Sequence, residues 1–157
     1  MEFQLRPMDS RDKPQLMELL WNTSEFTPAE IPVAEEVIDA YLDCPCQYYT
    51  ITAAVIKTNV VGYVCFGQTP LTLATWDIYW MAVANNKRGL GIGSTLLKSA
   101  EEAISQAGGK LALIETSSNS NYLNTRRFYR KNGYKRISRI VDFYAPGDHL
   151  IIFEKRF

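Results

Sequence analysis

At 157 residues and 46% apolar content, the chain has the size and composition of a single domain, 1–157, with a core of its own. Its longest apolar runs, YVCF and HLIIF, fall far short of a membrane span, and the amino-terminal MEFQLRPMD carries neither the basic nor the apolar part of a signal peptide, so a cytoplasmic protein that does not enter a membrane is expected. A formal net charge of zero argues against nucleic acid as a partner.

EFQLRP reads as a first strand, after which Asp9 or Ser10 caps a short helix around Pro14 to Trp21. NTSEFTPAEIP, with two prolines, reads as a loop; Val33, Val37, Ile38, Tyr41 and Leu42 then recur at helical spacing and predict a second helix over Val33 to Leu42. YYTITAAVIK and VVGYVCFG make a hairpin turning at Thr58-Asn59. ATWDIYWMAV is apolar on both faces, as a strand near the middle of a sheet should be. Ile92, Leu96, Leu97, Ala100, Ala103, Ile104 and Ala107 mark one face of a helix that stops at Gly108-Gly109. KLALIET is a short buried strand, YLNTRRFYRKN a helix ending at Gly133, and YKRISRIVDFY and HLIIFEKRF two closing strands that turn at Pro146-Gly147. The order β, α, α, β, β, β, α, β, α, β, β predicts a mixed α/β sheet, mostly antiparallel, whose central β-α-β unit is parallel and right-handed.

Charge is divided along the chain: residues 1–84 hold 4 Lys/Arg against 11 Asp/Glu, a balance of −7, and residues 85–157 hold 13 against 6, a balance of +7. Such a division describes either a solvated surface or a site that takes an anion on one side and a cation on the other. Glu25, Glu30, Glu35 and Glu36, beside Trp21 and Phe26, could form an acidic wall that collects cations, or one face of an amphipathic pair. Cys44, Cys46 and Cys65 lack metal spacing and read as reduced thiols; no metal site is apparent. His149, the only histidine, reads as a turn residue opening the last strand.

NKRGLGIGSTLL places Gly89, Gly91 and Gly93 between a strand and a helix. Unpaired N–H groups and the helix dipole attract phosphate there, and residues without a Cβ let the backbone come close, with Lys87 or Arg88 able to add a charged contact. The expected ligand is a phosphate compound, and most readily a diphosphate. A P-loop needs a lysine followed by Ser or Thr after its last glycine, whereas Ser94 follows Gly93 directly. The dinucleotide fingerprint is nearly met by Gly89-x-Gly91-x-x-Ser94, with Glu115 ending the next strand. Against it, some 75 residues precede the strand that leads into the loop.

Arg88, two spacers, Gly91, one spacer and Gly93, after a strand and before a helix, resemble the acetyl-coenzyme A loop of the GNAT superfamily of N-acetyltransferases. RRFYRKNGY is similar to that family's following helix-and-strand signature, with Tyr129 at its tyrosine position, and the element order matches over nearly the whole chain. The family commonly has an asparagine seven residues before the tyrosine; that place is Tyr122 here, with Asn121 and Asn124 nearby, and the cofactor contact is carried to Asn124.

The resemblance implies a GNAT-like fold with splayed central strands and direct attack of an amine on acetyl-CoA in a ternary complex. It assigns the diphosphate to Arg88, Gly89, Leu90, Gly91, Ile92, Gly93 and Ser94, and the pantetheine arm to Met81, Ala82 and Val83, a backbone N–H near Val83 facing the thioester oxygen. Tyr129 is the candidate for protonating the departing thiolate and Glu115 for deprotonating the amine, with Asp77 and Tyr79 as second choices. The acceptor is a small-molecule or peptide amine; a homodimer is compatible with edge pairing in this fold. The alternatives are a nicotinamide-dependent reductase and a non-catalytic module that binds CoA or a nucleotide.

Overall fold

The computed structural model describes residues 2–157. The strands are β1 (Gln4–Pro7), β2 (Thr50–Ile56), β3 (Asn59–Gln68), β4 (Thr75–Val83), β5 (Leu111–Ser117), β6 (Lys135–Ala145) and β7 (Asp148–Arg156); the helices are α1 (Lys13–Trp21), α2 (Glu30–Asp43), α3 (Ile92–Gln106) and α4 (Leu123–Lys131). Their order is the one expected. A seven-stranded sheet runs β1-β2-β3-β4-β5-β7-β6, antiparallel throughout except where β4 meets β5. No helix among the described residues is long and apolar enough to cross a membrane.

Local differences from the expected elements have simple causes. Asp9 caps a short 3-10 turn, Ser10–Asp12, whose Asp12 carboxylate accepts from the Asp9 amide at 2.9 Å, and α1 follows from Lys13, within one residue of the expected start. α2 begins at Glu30 because the Glu30 carboxylate accepts from the Thr27 amide at 2.6 Å, and Pro32 in the first turn lacks only an N–H that has no helical acceptor. The hairpin turns at Lys57-Thr58, one residue earlier than expected, with Lys57 in the left-handed region at φ 56°.

The sheet separates two apolar clusters. On one face Leu96, Leu97, Ala100 and Ile104 of α3 pack on Ala54, Val64, Phe66 and Ile78, joined by Tyr129 of α4 and Phe153 of β7. On the other, Leu16 and Leu20 of α1 and Ile31, Ala34 and Ile38 of α2 cover Ile51, Ala53, Tyr63 and Cys65. Each face takes alternate residues of β2 and β3, so β3 is buried along almost its whole length.

The feature that positions the site is a partial pairing. β4 and β5 are registered only at Thr75–Asp77 against Leu111–Leu113, and beyond those three residues they diverge. β4 is also irregular against β3: Cys65 faces Trp80 and Phe66 faces Ile78, leaving Tyr79 as the extra residue of a bulge. The carboxyl ends of the two central strands therefore enclose an open wedge, bounded on one face by the start of α3.

Candidate active site

A cavity of about 710 Å³ fills that wedge. One end is the glycine loop. Gly89 and Gly91 have φ values of 80° and 81°, in the left-handed region that costs an L-residue roughly 1–2 kcal/mol, and no atom lies where a Cβ would sit at either position. Gly93 serves differently, since it is helical and a Cβ there would meet the Phe128 ring at 3.3 Å. The amides of Ile92, Gly93 and Ser94 lie in the first turn of α3, where the helix supplies no acceptor, and the Thr95 amide returns to Gly91 O at 3.0 Å. Of the loop residues, Leu90 alone does not line the cavity; its side chain is half exposed.

The next wall is β4. The Ala84 amide donates to Val61 O at 2.8 Å, so by the alternation of an antiparallel ladder Ala82 also bonds toward β3, while Met81 and Val83 turn their backbone groups toward the gap left by β5. Met81, Ala82 and Val83 all line the cavity. Thr116 of β5 lines it as well, and its Oγ1 is buried without a hydrogen-bond partner among the described residues. An orphaned hydroxyl, an unpaired strand edge and a helix start shaped for phosphate together fit a long ligand with a diphosphate at one end and amides along its arm, as coenzyme A has.

Tyr129, 7% exposed, is held by edge-on or tilted contacts with Phe128, Tyr134 and Phe153 at 5.6–6.1 Å between ring centres. It lines the cavity, and burial pushes its phenol up to about 12, so it is protonated at neutral pH. Glu115 lines the same space from β5; burial, followed by the charge of Asp77, raises its carboxyl above the ordinary range. Asp77 does not line the cavity, being bonded to Thr69 Oγ1 at 2.5 Å and to the Tyr79 hydroxyl at 3.4 Å. Tyr79 does, with its phenol pushed up to about 12 by burial and then by Asp77. Asn124 lines the cavity and Asn121 does not; the Asn121 amide closes a short turn on Asn119 Oδ1 at 3.1 Å.

The acidic wall does not form. Glu35 bonds Lys13 at 3.1 Å, and Glu30 accepts from the Tyr122 hydroxyl at 3.2 Å besides closing its own helix start. Glu25 alone of that group reaches the cavity, and both its oxygens are held by the Arg88 guanidinium, at 2.7 and 3.0 Å. Burial pushes the Glu25 carboxyl up, but its bonds and attraction to Arg88 bring it below the ordinary value. This pair joins the acidic half of the chain to the basic half, a partnership 63 residues apart that no local pattern signals. Sequence reasoning also missed Tyr122 and Tyr144, which line the cavity from the α4 entrance and from β6. The one available signal was the tyrosine standing where the family has asparagine. His149 stays outside, its Nδ1 accepting from the Asp142 amide at 2.9 Å.

Comparison with known proteins agrees with this geometry. Residues 47–136 match the model of the acetyltransferase (GNAT) domain. An aminoalkylphosphonate N-acetyltransferase of Salmonella typhimurium is 33% identical over 123 residues, 76% of this chain and 74% of that relative. Among solved structures, a GNAT-family protein from Desulfovibrio desulfuricans is 32% identical, covers 99% of both chains and superposes with a TM-score of 0.95. An aminoglycoside 6'-N-acetyltransferase complexed with coenzyme A shares the fold at 20% identity and a TM-score of 0.77, over 98% of this chain and 96% of that one.

Proposed function

The chain belongs to the GNAT acetyltransferases and is an acetyltransferase enzyme that uses acetyl-CoA; from that premise we propose that it acetylates a primary amine bound beside the cofactor in the wedge between β4 and β5. The observation that carries this reading is convergence. One cavity is lined by a helix start with unpaired amides, the edge of β4, a protonated phenol and a carboxyl raised above its ordinary value.

Bound acetyl-CoA supplies an acyl thioester, whose carbonyl carbon the amine nitrogen attacks while the carbon–sulfur bond breaks. The first-turn amides of α3 and the loop at Gly89 and Gly91 hold the diphosphate, and the edge at Met81 and Val83 orients the arm as an added strand would. Asn124 lines the same channel and completes the cofactor contacts. The Val83 N–H faces the developing negative oxygen; losing such a donor costs on the order of 10²-fold or more in rate. Glu115 takes a proton from the amine, which has a pKa of about 10 when lysine-like and arrives as ammonium. Tyr129 gives its phenolic proton to the departing sulfur and takes up the second proton that the nitrogen sheds as the amide forms, so the phenol is restored.

The test is free-thiol release from acetyl-CoA over a panel of amines, with calorimetric titration of acetyl-CoA and of NAD(H). Saturable, amine-dependent release with acetyl-CoA preferred is expected. Preference for NAD(H) would favour a reductase. Cofactor binding with no release on any amine would favour a binding module.

A further inference from the structure

Resting on the transferase reading above, we infer that the acceptor is a monoamine whose nitrogen is carried on an uncharged, aromatic-sized body. The inference starts from which charges around the amine end of the cavity are already engaged. Two carboxylates line the cavity, Glu25 and Glu115; Glu25 is neutralised by Arg88, and Glu30, Asp77 and Asp148 lie outside the lining. The Glu115 side chain has no hydrogen bond or ion pair among the described residues and points into the cavity from the open face of β5. One carboxylate can neutralise one ammonium. A second cationic centre would leave water without a partner, which disfavours polyamines.

Anionic acceptors fare no better. Arg88, the one arginine lining the cavity among the described residues, already has both its terminal nitrogens on Glu25. The other cations lining the cavity belong to its phosphate end. Lys87 adjoins the glycine loop, and Lys131 is in the last turn of α4, about 12 Å along that helix from its first residue at 1.5 Å per residue. A phosphonate or carboxylate on the acceptor would meet the Glu115 carboxylate and phenols instead.

What the walls do offer is aromatic surface. Phe26 stands edge-on to Trp80 at 5.6 Å, Tyr79 edge-on to Tyr49 at 5.4 Å, and Tyr144 edge-on to Phe143 at 4.9 Å, with Tyr122 closing the far side. Rings of this kind stabilise an ammonium over their faces and bury an apolar body beside it. Tyr79 and Tyr144 remain 39% and 49% exposed, so this surface is open to a ligand and not consumed by the core.

The test compares 2-phenylethylamine, spermidine and 2-aminoethylphosphonate by free-thiol release from acetyl-CoA with the full chain. We expect kcat/KM for phenylethylamine to exceed both others by about tenfold or more, the scale set by a fitted apolar pocket. Tyr144→Ser, on a half-exposed edge strand where folding is not at stake, should raise KM for phenylethylamine several-fold and leave KM for acetyl-CoA unchanged. Higher kcat/KM with spermidine or the phosphonate overturns the inference and keeps the transferase. An unmoved KM in Tyr144→Ser overturns it too. Thiol release from none of these three amines, with acetyl-CoA binding intact, overturns the inference, while release on another amine of the wider panel keeps the transferase reading.

Discussion

The two ends of the cavity are built from different material. The phosphate end is mostly backbone: two left-handed glycines, the opening amides of α3 and the unpaired groups of Met81 and Val83. The amine end is mostly side chain: Glu115, Tyr79, Trp80, Tyr122 and Tyr144, drawn from β5, β4, the α4 entrance and β6. A backbone site recognises a charge pattern shared by every acyl-CoA, whereas a side-chain site selects among amines. Substitutions at the amine end should therefore act on turnover and acceptor choice, and those at the phosphate end on cofactor affinity.

The largest break is expected at Glu115. Glu115→Gln removes the one carboxylate lining the cavity that has no hydrogen bond or ion pair among the described residues, and should lower kcat/KM for the amine by roughly 10²–10⁴-fold, with acetyl-CoA affinity little changed. Because burial and then Asp77 raise this carboxyl, and its ionised form is the proposed base, activity should climb with pH through a limb displaced upward from that of an ordinary glutamate. That limb should vanish from the pH profile of Glu115→Gln. A retained limb would assign the titration elsewhere.

Tyr129→Phe should come next, at roughly 10²-fold in kcat, because the ring contacts that hold position 129 survive and only the proton donor goes. Its phenol sits near 12, so the wild-type enzyme should keep this donor protonated across the assayable range. Calorimetry should find the cofactor dissociation constant unchanged. A parallel loss of binding would make Tyr129 a cofactor contact instead of an acid.

The same contrast governs how much could be read from the residues alone. The element order, the helix faces and the turn before α3 were legible, since glycines at 89 and 91 announce a backbone conformation and apolar spacing announces a face. The strand divergence followed only from the family resemblance, because no residue pattern encodes where pairing stops. The amine end was read least well. Four glutamates close together suggested a cation trap, but the partners that engage three of them, Lys13, Tyr122 and Arg88, lie up to 92 residues away, and only folding brings them into reach. Gly93 was grouped with the other loop glycines, although it makes room for Phe128 and is not there for its φ.

Gly91→Ala probes the backbone end at smaller scale. Nothing obstructs the added methyl, so the cost is that of φ 81° in an L-residue, roughly 1–2 kcal/mol. Relief of that strain by a shift of the loop should weaken acetyl-CoA about five- to thirtyfold in calorimetry while kcat at saturation stays near wild type. A fall in kcat without a change in affinity would mean that the loop acts on chemistry and not on the diphosphate.

The smallest effect, and the one that sharpens the comparison most, belongs to Glu25, where the two ends touch. Its pairing with Arg88 fastens the loop between α1 and α2, a wall of the amine end through Phe26 and Trp80, to the loop proposed to hold the phosphates. The Arg88 side chain is 41% exposed and that of Glu25 10%, so the pair is partly screened and contributes on the order of 1 kcal/mol or less. In Glu25→Gln the guanidinium is released toward the diphosphate while the amine-side loop loses its anchor. Acetyl-CoA should then bind up to about fivefold more tightly, an advantage that shrinks as salt is added, and KM for the amine should rise. If cofactor binding weakens instead, Glu25 holds Arg88 in the orientation the phosphates need, and the two ends cooperate through this pair where the geometry alone suggests that they compete for it.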